Sequence, residues 1–160
     1  WLLHRAISQA GFRVSIQGTA ADEMFSGYYT HHLYYLYDLR EDRQLYEQAL
    51  DGWKRNTLPF VRNPFLQDPA AFLQHPMDRE HIFLDREKFS GYLNQSTAEP
   101  FSEVFYRSGL LQNRMLNEMF RETTPVILHE LALNALYFSV EHRSPLEAWF
   151  PILFWTAREK

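Results

Sequence analysis

Hydrophobic and polar positions follow a pattern at the start of the chain that changes twice. Over residues 2–10 apolar positions recur every three to four residues, which predicts an amphipathic helix that Gly11 is placed to end. Residues 12–16, FRVSI, then predict one short buried strand. Small residues form a turn over 17–21, and the pattern becomes helical again from Asp22. The chain is therefore expected to begin as helix, strand, turn and helix.

The rest of the chain is expected to be helical apart from one interrupted stretch. A helix is predicted over residues 43–55, where apolar side chains line one face. Four prolines between residues 57 and 76 exclude a long helix there. Residues 111–120 give the clearest amphipathic pattern, and an apolar segment that can be buried on several sides follows Pro125. The polar side of this amphipathic helix carries Asn113, Arg114, Asn117, Glu118 and Arg121.

Composition and charge narrow the class of protein. A chain of 160 residues with 46% hydrophobic and 16% aromatic residues is expected to be one globular domain rather than a disordered segment. Its net charge of -4 argues against a nucleic-acid-binding surface, because neutralising phosphates needs clustered lysine and arginine. The longest apolar cluster, WFPILFW at 149–155, is shorter than the roughly 20 residues of a membrane span. We therefore expect a cytoplasmic protein with neither nucleic acid nor membrane as a partner.

The stretch GTAADE at residues 18–23 is the candidate for chemistry. Gly18 and the small residues after it leave backbone N–H groups free to approach an anion, and the helix that follows adds a partial positive charge. Asp22 offers a hard oxygen ligand that could hold Mg²⁺ against a bound phosphate. Asp22 and Glu23 are also ordinary residues for the first turn of a helix. From spacing alone, the capping interpretation ranks ahead of the metal interpretation.

Two separated stretches of the chain follow known sequence patterns. GFRVSIQGTAADEMFSGYYTHH is similar to a strand followed by SGEGADE, a bulky apolar residue and FGGY. NRMLNEMFRETTPVILHELALNALYFSVEHRSP resembles a helix followed by a PVILHEDDLNSMYYSIENRSPFLD-like run. In both stretches the chain resembles the glutamine-hydrolysing asparagine synthetase family, and the two matches occur in that family's order. The resemblance assigns residues 1–145 to the C-terminal portion of a synthetase domain and leaves 146–160 as a divergent aromatic tail.

The resemblance implies a fold and a reaction. The fold would be α/β, of the pyrophosphate-loop and adenine nucleotide α-hydrolase-like type, and this portion would be mainly α-helical with one short strand near residues 12–16. The family uses ATP and Mg²⁺ to adenylate the side-chain carboxylate of aspartate, and ammonia from a glutaminase domain then gives the amide. Relatives use other acids, so the substrate would be aspartate or a related acid. Carried over by position, Gly18 would approach the nucleotide, Asp22 would lie beside pyrophosphate and Mg²⁺, and Glu23 would open the helix.

Several further residues keep the family pattern and are assigned structural roles near the site. Glu141 and Arg143 are expected to form an ion pair or hydrogen-bonded brace that shapes the turn before Pro145, rather than to contact substrate. The full set of these retained residues is Gly27, Tyr28, Arg114, Glu141 and Arg143.

The departures from the family pattern bear on activity. Thr19 stands at the usual glutamate position, and a hydroxyl cannot replace a carboxylate as a base near neutral pH. Leu131 and Ala132 stand where the family has two acids, and after Pro145 the expected FLD is replaced by LEAWFPILFW. A frame change in the coding sequence or true divergence would each produce that break.

Two parts of the family enzyme have no counterpart in these residues. The SGG-type nucleotide loop is expected upstream of this segment, and the glutaminase half needs a cysteine nucleophile, whereas the sequence has no cysteine. We therefore expect a fragment of a longer protein. One hypothesis makes it part of a synthetase whose site is completed by the nucleotide-loop and glutaminase portions. The alternative is a non-catalytic helical remnant that acts as an interaction module.

Overall fold

The computed structural model describes residues 1–76, 88, 90–94 and 103–146, so most of the predicted aromatic tail lies outside the described residues. The described part is mostly helical, with one small parallel sheet. It separates into two compact units, the first made of Trp1–Gly27 and the residues from Met115 onward, the second of Tyr28–Arg114. The elements are α1 (Leu2–Gln9), β1 (Val14–Ile16), α2 (Ala21–Phe25), α3 (Tyr29–Asp38), α4 (Arg43–Asn56), two 3₁₀ turns (Leu58–Phe60 and Pro64–Leu66), α5 (Pro69–Gln74), α6 (Leu110–Phe120), α7 (Thr123–Tyr137) and β2 (Glu141–Arg143).

The first unit is built around two short parallel strands. α1 ends as predicted, because Gly11 adopts the left-handed conformation (φ 84°) that glycine takes without steric cost. β1 pairs with β2 in parallel, with Val14 opposite Glu141 and Ile16 opposite Arg143. α7 leads through residues 138–140 into β2. The sheet therefore joins the beginning of the described chain to its end.

The sequence-based prediction of a single buried strand over residues 12–16 is corrected in three respects. The first strand begins at Val14, and its Val14 and Ile16 side chains are exposed. A second strand is present at Glu141–Arg143, where a turn was expected. The second strand was missed because Glu-His-Arg contains no apolar residue and so has no apolar–polar alternation to detect.

The second unit has an apolar core to which α3, α4 and the residues after α4 contribute. As predicted, the prolines prevent a long helix over residues 57–76, and this stretch instead forms two 3₁₀ turns and the short α5. Tyr34 and Phe72 meet edge to face, with ring centroids 5.1 Å apart. The buried core cluster consists of Leu33, Tyr34, Leu36, Trp53, Val61, Leu66 and Phe72.

α6 is present where the amphipathic pattern predicted it, but its polar side is buried. Phe120 on the predicted apolar side is 45% exposed. Asn113 is fully buried. Its Oδ1 accepts hydrogen bonds from the backbone N–H groups of Tyr106 and Arg107, at 2.7 and 2.8 Å. These bonds replace the hydrogen bonds to water that the side chain and the two N–H groups lose on burial. The buried polar residues of α6 are Asn113, Arg114, Asn117 and Glu118.

A carboxylate from α3 caps the start of α6. Asp38 accepts hydrogen bonds from the backbone N–H groups of Leu110 and Leu111, at 2.8 and 3.1 Å. These N–H groups have no acceptor inside the helix, so the side chain satisfies them from a distant part of the chain. Gly109 is needed just before the helix, because a Cβ there would lie 2.9 Å from Asp38 Oδ2.

Candidate functional site

The parallel pairing of β1 with β2 brings the two family-like stretches to one edge of the sheet. The backbone N–H of Gln17 donates to the carbonyl of Arg143 at 3.0 Å, so the pairing continues past the end of β1. Gly18 follows β1, and Ser144 follows β2. In open α/β sheets, ligands bind outside the carboxyl ends of parallel strands. The carboxyl edge of β1 and β2 is therefore the candidate site.

The loop after β1 leaves room for a ligand at Gly18. Gly18 is exposed, and a Cβ placed on it would meet nothing within 4 Å. Ala20 is buried and holds a left-handed conformation (φ 72°) at the start of α2, and the Met24 N–H donates to its carbonyl at 3.1 Å. The backbone at Gly18 is thus open to close approach, which is what binding an anion through its N–H groups requires.

The two adjacent acids of α2 have different environments. Asp22 is exposed, whereas Glu23 is only 5% exposed. Asp22 packs against the backbone of Gly27, since a Cβ at Gly27 would lie 2.6 Å from Asp22 Cγ. Of the two carboxylates, Asp22 is therefore the one that solvent or a ligand can reach, and Gly27 provides the space in which it sits.

Substituting Gly27 tests this packing. Gly27→Ala is expected to lower the free energy of unfolding by about 1 to 3 kcal/mol, because the new methyl group overlaps the Asp22 side chain. In an Asp22→Ala background the same change should cost less than half as much, because the crowding carboxylate is gone. Urea unfolding of the four proteins in this double-mutant cycle measures both costs. Equal costs in the two backgrounds would contradict the contact.

Glu141 and Arg143 form an ion pair on the exposed face of β2. Arg143 donates from Nε to Glu141 Oε1 at 2.8 Å and from Nη2 to Oε2 at 3.1 Å. The ion pair expected from the sequence is present, on a strand and not in a turn. The hydrogen bond and the charge of Arg143 lower the pKa of Glu141, and the same contacts raise the pKa of Arg143. Both groups remain charged near neutral pH.

The opposite face of β2 carries residues that the sequence reasoning missed. His142 points away from the ion pair, and its Nε2 lies 3.0 Å from Ser144 Oγ. The ring of buried His4 on α1 lies 6.4 Å from the ring of His142, between centroids. Burial lowers the pKa of His4, which favours its neutral form. The sequence offered no signal for this pair, because the strand that positions His142 has no apolar–polar alternation.

A cavity of about 410 Å³ lies between α7 and β2 in the first unit. Its wall includes Ala132, Glu141, His142 and Ser144, and the remaining lining is aliphatic. Ala132 stands at one of the two positions where the family-like pattern has an acid. The wall of this cavity is therefore less acidic than the pattern would make it.

The other residues assigned near the site lie in the second unit. Tyr28 packs edge to face against His31, with centroids 5.1 Å apart. Arg114 pairs with Glu103, and both side chains are buried. Their roles near the site stay predictions. Among residues 1–76, 88, 90–94 and 103–146, no three His, Asp or Glu side chains form a cluster that could hold a metal ion.

Comparison with known proteins identifies the family. A family model described as asparagine synthase matches residues 1–146, which includes both family-like stretches and the second unit between them. The chain belongs to the asparagine synthase family. No curated protein and no solved structure matches it. In the part of this asparagine synthase family chain that the structure describes, no helix has both the length and the apolar character needed to cross a membrane.

Proposed function

We propose that the chain is the C-terminal portion of an asparagine synthase-type enzyme, which activates aspartate or a related acid with ATP and forms an amide with glutamine-derived ammonia. The pairing of β1 with β2 carries the proposal, because it brings Gly18, which follows β1, and Ser144, which follows β2, to one carboxyl edge. The nucleotide-loop and glutaminase portions of the complete protein would supply the rest of the site. One face of the sheet leaves Ile16 72% exposed, which suits a strand pair that further elements cover.

Gly18 and Asp22 are the residues that would face the nucleotide. The open surface at Gly18 would let its backbone approach the phosphates, and the exposed Asp22 carboxylate would hold Mg²⁺. One carboxylate suffices because Mg²⁺ keeps several waters and is usually completed by substrate phosphates. The bound metal would neutralise charge on the departing pyrophosphate. Glu23 is buried, so its contribution would be to hold α2 in place rather than to contact the nucleotide.

Departures from the family pattern support the alternative, a non-catalytic helical module. Thr19 offers no base near neutral pH, and Leu131 and Ala132 remove two acids. The exposed sheet face, with Val14 at 40% and Ile16 at 72% exposed, would then bind another chain. The two functions differ in whether the complete protein forms an acyl-adenylate.

Pyrophosphate chemistry tests the proposal. The isolated chain with ATP, Mg²⁺, aspartate and ammonia should release no pyrophosphate above background, because it has no nucleotide loop. The complete protein should catalyse acid-dependent exchange of radiolabelled pyrophosphate into ATP, which reports adenylation without requiring ammonia. Asp22→Asn should reduce that exchange at least tenfold, about the effect of losing one charged contact to the transition state.

A matched control separates site chemistry from general charge effects. Asp51→Asn on α4 removes an exposed carboxylate that pairs only with the surface residue Arg55, at 2.6 Å in the described structure, and should leave exchange unchanged. If the complete protein shows no exchange with aspartate or a panel of related acids, the non-catalytic module is the better account. Turnover by the isolated chain would contradict the need for the missing portions.

A further inference from the structure

The cavity between α7 and β2, here called the α7–β2 cavity, reaches the candidate site at one end. α7 turns through residues 138–140 into β2, and the Val140 N–H donates to the Ala135 carbonyl at 2.9 Å, so the two elements run back along each other from this connection. Ser144 and, on α7, Ala132 therefore line the end farther from the connection. Because Ser144 follows β2, this far end lies at the carboxyl edge of the sheet, where Gly18 follows β1.

The body of the α7–β2 cavity suits a hydrocarbon chain. Its volume of about 410 Å³ lies within the roughly 300 to 1,000 Å³ of small-molecule sites. Ala135 and Val140 in its wall are buried, whereas Ala132 and Leu136 are exposed, so the cavity is open to solvent on one side. Its apolar wall is aliphatic and has no aromatic ring among the described residues. A flexible aliphatic chain can therefore leave water by packing along α7 and β2.

Ser144 supplies a hydrogen-bond donor at the far end. Its Oγ lies 3.0 Å from His142 Nε2, and His142 Nδ1 is buried with no hydrogen-bond partner among the described residues. Orphaned buried N–H groups are rarer than unsatisfied acceptors, which favours the tautomer that carries its proton on Nε2. His142 then donates to Ser144, and the Ser144 O–H remains available to donate to an oxygen atom of a ligand.

The charges around the α7–β2 cavity discriminate between acids. Glu141 is the acidic residue of the described lining, and both of its carboxylate oxygens accept hydrogen bonds from Arg143. Ala132 stands where the family-like pattern has an acid. An ammonium group at the far end would therefore lack a carboxylate partner, and taking an unpaired ion out of water is unfavourable. An acid that has no amino group avoids this cost.

We propose that the α7–β2 cavity selects an aliphatic monocarboxylic acid without an amino group as the substrate of this chain. The inference rests on the proposed synthetase function and names the class of acid that this function activates. The aliphatic chain packs between α7 and β2, and Ser144 donates to one carboxylate oxygen at the far end. The other oxygen attacks the α-phosphorus of ATP to form the acyl-adenylate, and pyrophosphate leaves with the electron pair of the broken phosphorus–oxygen bond.

Binding of acids to the chain tests the cavity without ATP. Saturation-transfer difference NMR gives the Kd of acetate, butanoate, hexanoate and 2-aminohexanoate. From acetate to hexanoate, each added methylene group should lower Kd about two- to fourfold, because full burial of one methylene corresponds to about fourfold. 2-Aminohexanoate differs from hexanoate only by its ammonium group and should bind at least about tenfold more weakly. A Kd that is independent of chain length overturns the proposal, and so does equal binding of hexanoate and 2-aminohexanoate.

Three variants assign the binding to this cavity. Ala132→Asp should weaken hexanoate binding at least about tenfold and remove the preference over 2-aminohexanoate, because it adds a negative charge to the wall. Leu133→Asp, the matched control, adds the same charge at the next position, which is 56% exposed and outside the lining, and should change Kd less than about twofold. Ser144→Ala should weaken hexanoate binding about three- to tenfold by removing one hydrogen bond to a charged acceptor.

Circular dichroism checks that each variant is folded, and Ser144→Ala carries the test if Ala132→Asp is not. Equal effects of Ala132→Asp and Leu133→Asp overturn the assignment to the cavity. An unchanged Kd in folded Ser144→Ala overturns the contact to the carboxylate.

Exchange of pyrophosphate into ATP by the complete protein separates this inference from the proposed function. Hexanoate should support exchange with a kcat/KM at least about tenfold above that of aspartate. A higher kcat/KM with aspartate overturns the inference and leaves the synthetase function standing. Absence of exchange with every acid overturns the synthetase function and the substrate assignment with it, while the NMR titration still decides whether the cavity binds aliphatic acids.

Discussion

Replacing Glu103 by alanine is expected to lower the free energy of unfolding by about 3 to 5 kcal/mol. Glu103 pairs with Arg114 of α6, and the two side chains are only 7% and 4% exposed. Without this carboxylate the guanidinium stays buried and loses the opposite charge that Glu103 supplies, and restoring its solvation requires opening the structure. Urea unfolding followed by circular dichroism measures the loss.

A surface ion pair supplies the control for this prediction. Arg43 and Glu47 on α4 form a pair with a 2.9 Å contact and side chains 90% and 62% exposed, so Glu47→Ala should cost no more than about 0.5 kcal/mol. Replacing both buried partners, with Glu103→Leu and Arg114→Met, should recover much of the loss, because neither residue of the pair then leaves the other's charge buried without it. If Glu103→Ala cost as little as Glu47→Ala, the buried pair would not be a main support of α6.

Replacing Thr19 by glutamate in the complete protein is expected to raise the rate of amide formation by roughly 10² to 10⁴-fold. Thr19 lies in the loop after β1, at the position where the family-like pattern has glutamate. A carboxylate there could accept a proton from the attacking ammonia, which a hydroxyl cannot do near neutral pH. The measurement is amide formed per unit time with ammonia as the nitrogen source.

Thr19→Gln is the matched variant, since it has nearly the size of glutamate without a basic oxygen. It should leave the rate near that of the original protein. Exchange of pyrophosphate into ATP should change little in either variant, because adenylation precedes the ammonia step. If Thr19→Glu and Thr19→Gln raised the rate of amide formation equally, the effect would come from side-chain shape and not from a base. If neither raised it, the base would lie elsewhere or the protein would not form an amide.

The helices were largely predictable from the sequence. α1 and α4 follow apolar positions at helical spacing. α1 ends just before Gly11, and α4 ends just before Pro59, the first of the four prolines. Local patterns were sufficient for α4 because it buries one face, which carries Trp53, and exposes the other. α1 has the predicted bounds although Leu2 and Leu3 on its apolar side are exposed and His4 is its buried residue.

The same reasoning failed for α6, whose polar residues Asn113 and Arg114 are buried. Their partners, Arg107 and Glu103, lie outside the helix, so periodicity within the helix could not reveal the contacts.

The candidate site was only partly predictable. The sequence pattern selected Gly18 and Asp22, and the structure leaves both exposed at the carboxyl edge of the sheet. It could not distinguish Glu23 from Asp22, because adjacent helical residues differ in direction by about 100° and the tertiary fold decides which is covered. It also missed His142 and Ser144, since their proximity to α1 and α7 depends on a strand that has no apolar alternation.

The pairing of Val14 with Glu141 has a consequence for how the chain folds during synthesis. Parallel pairing between distant segments forms slowly, since loop closure must precede the contacts that stabilise it. The second unit is continuous in sequence, so it can form its core as soon as Tyr28–Arg114 have left the ribosome. β1 is synthesised earlier and stays unpaired until β2 has been synthesised. A nascent chain that pauses before Glu141 therefore carries an unpaired strand that chaperones or other chains can bind.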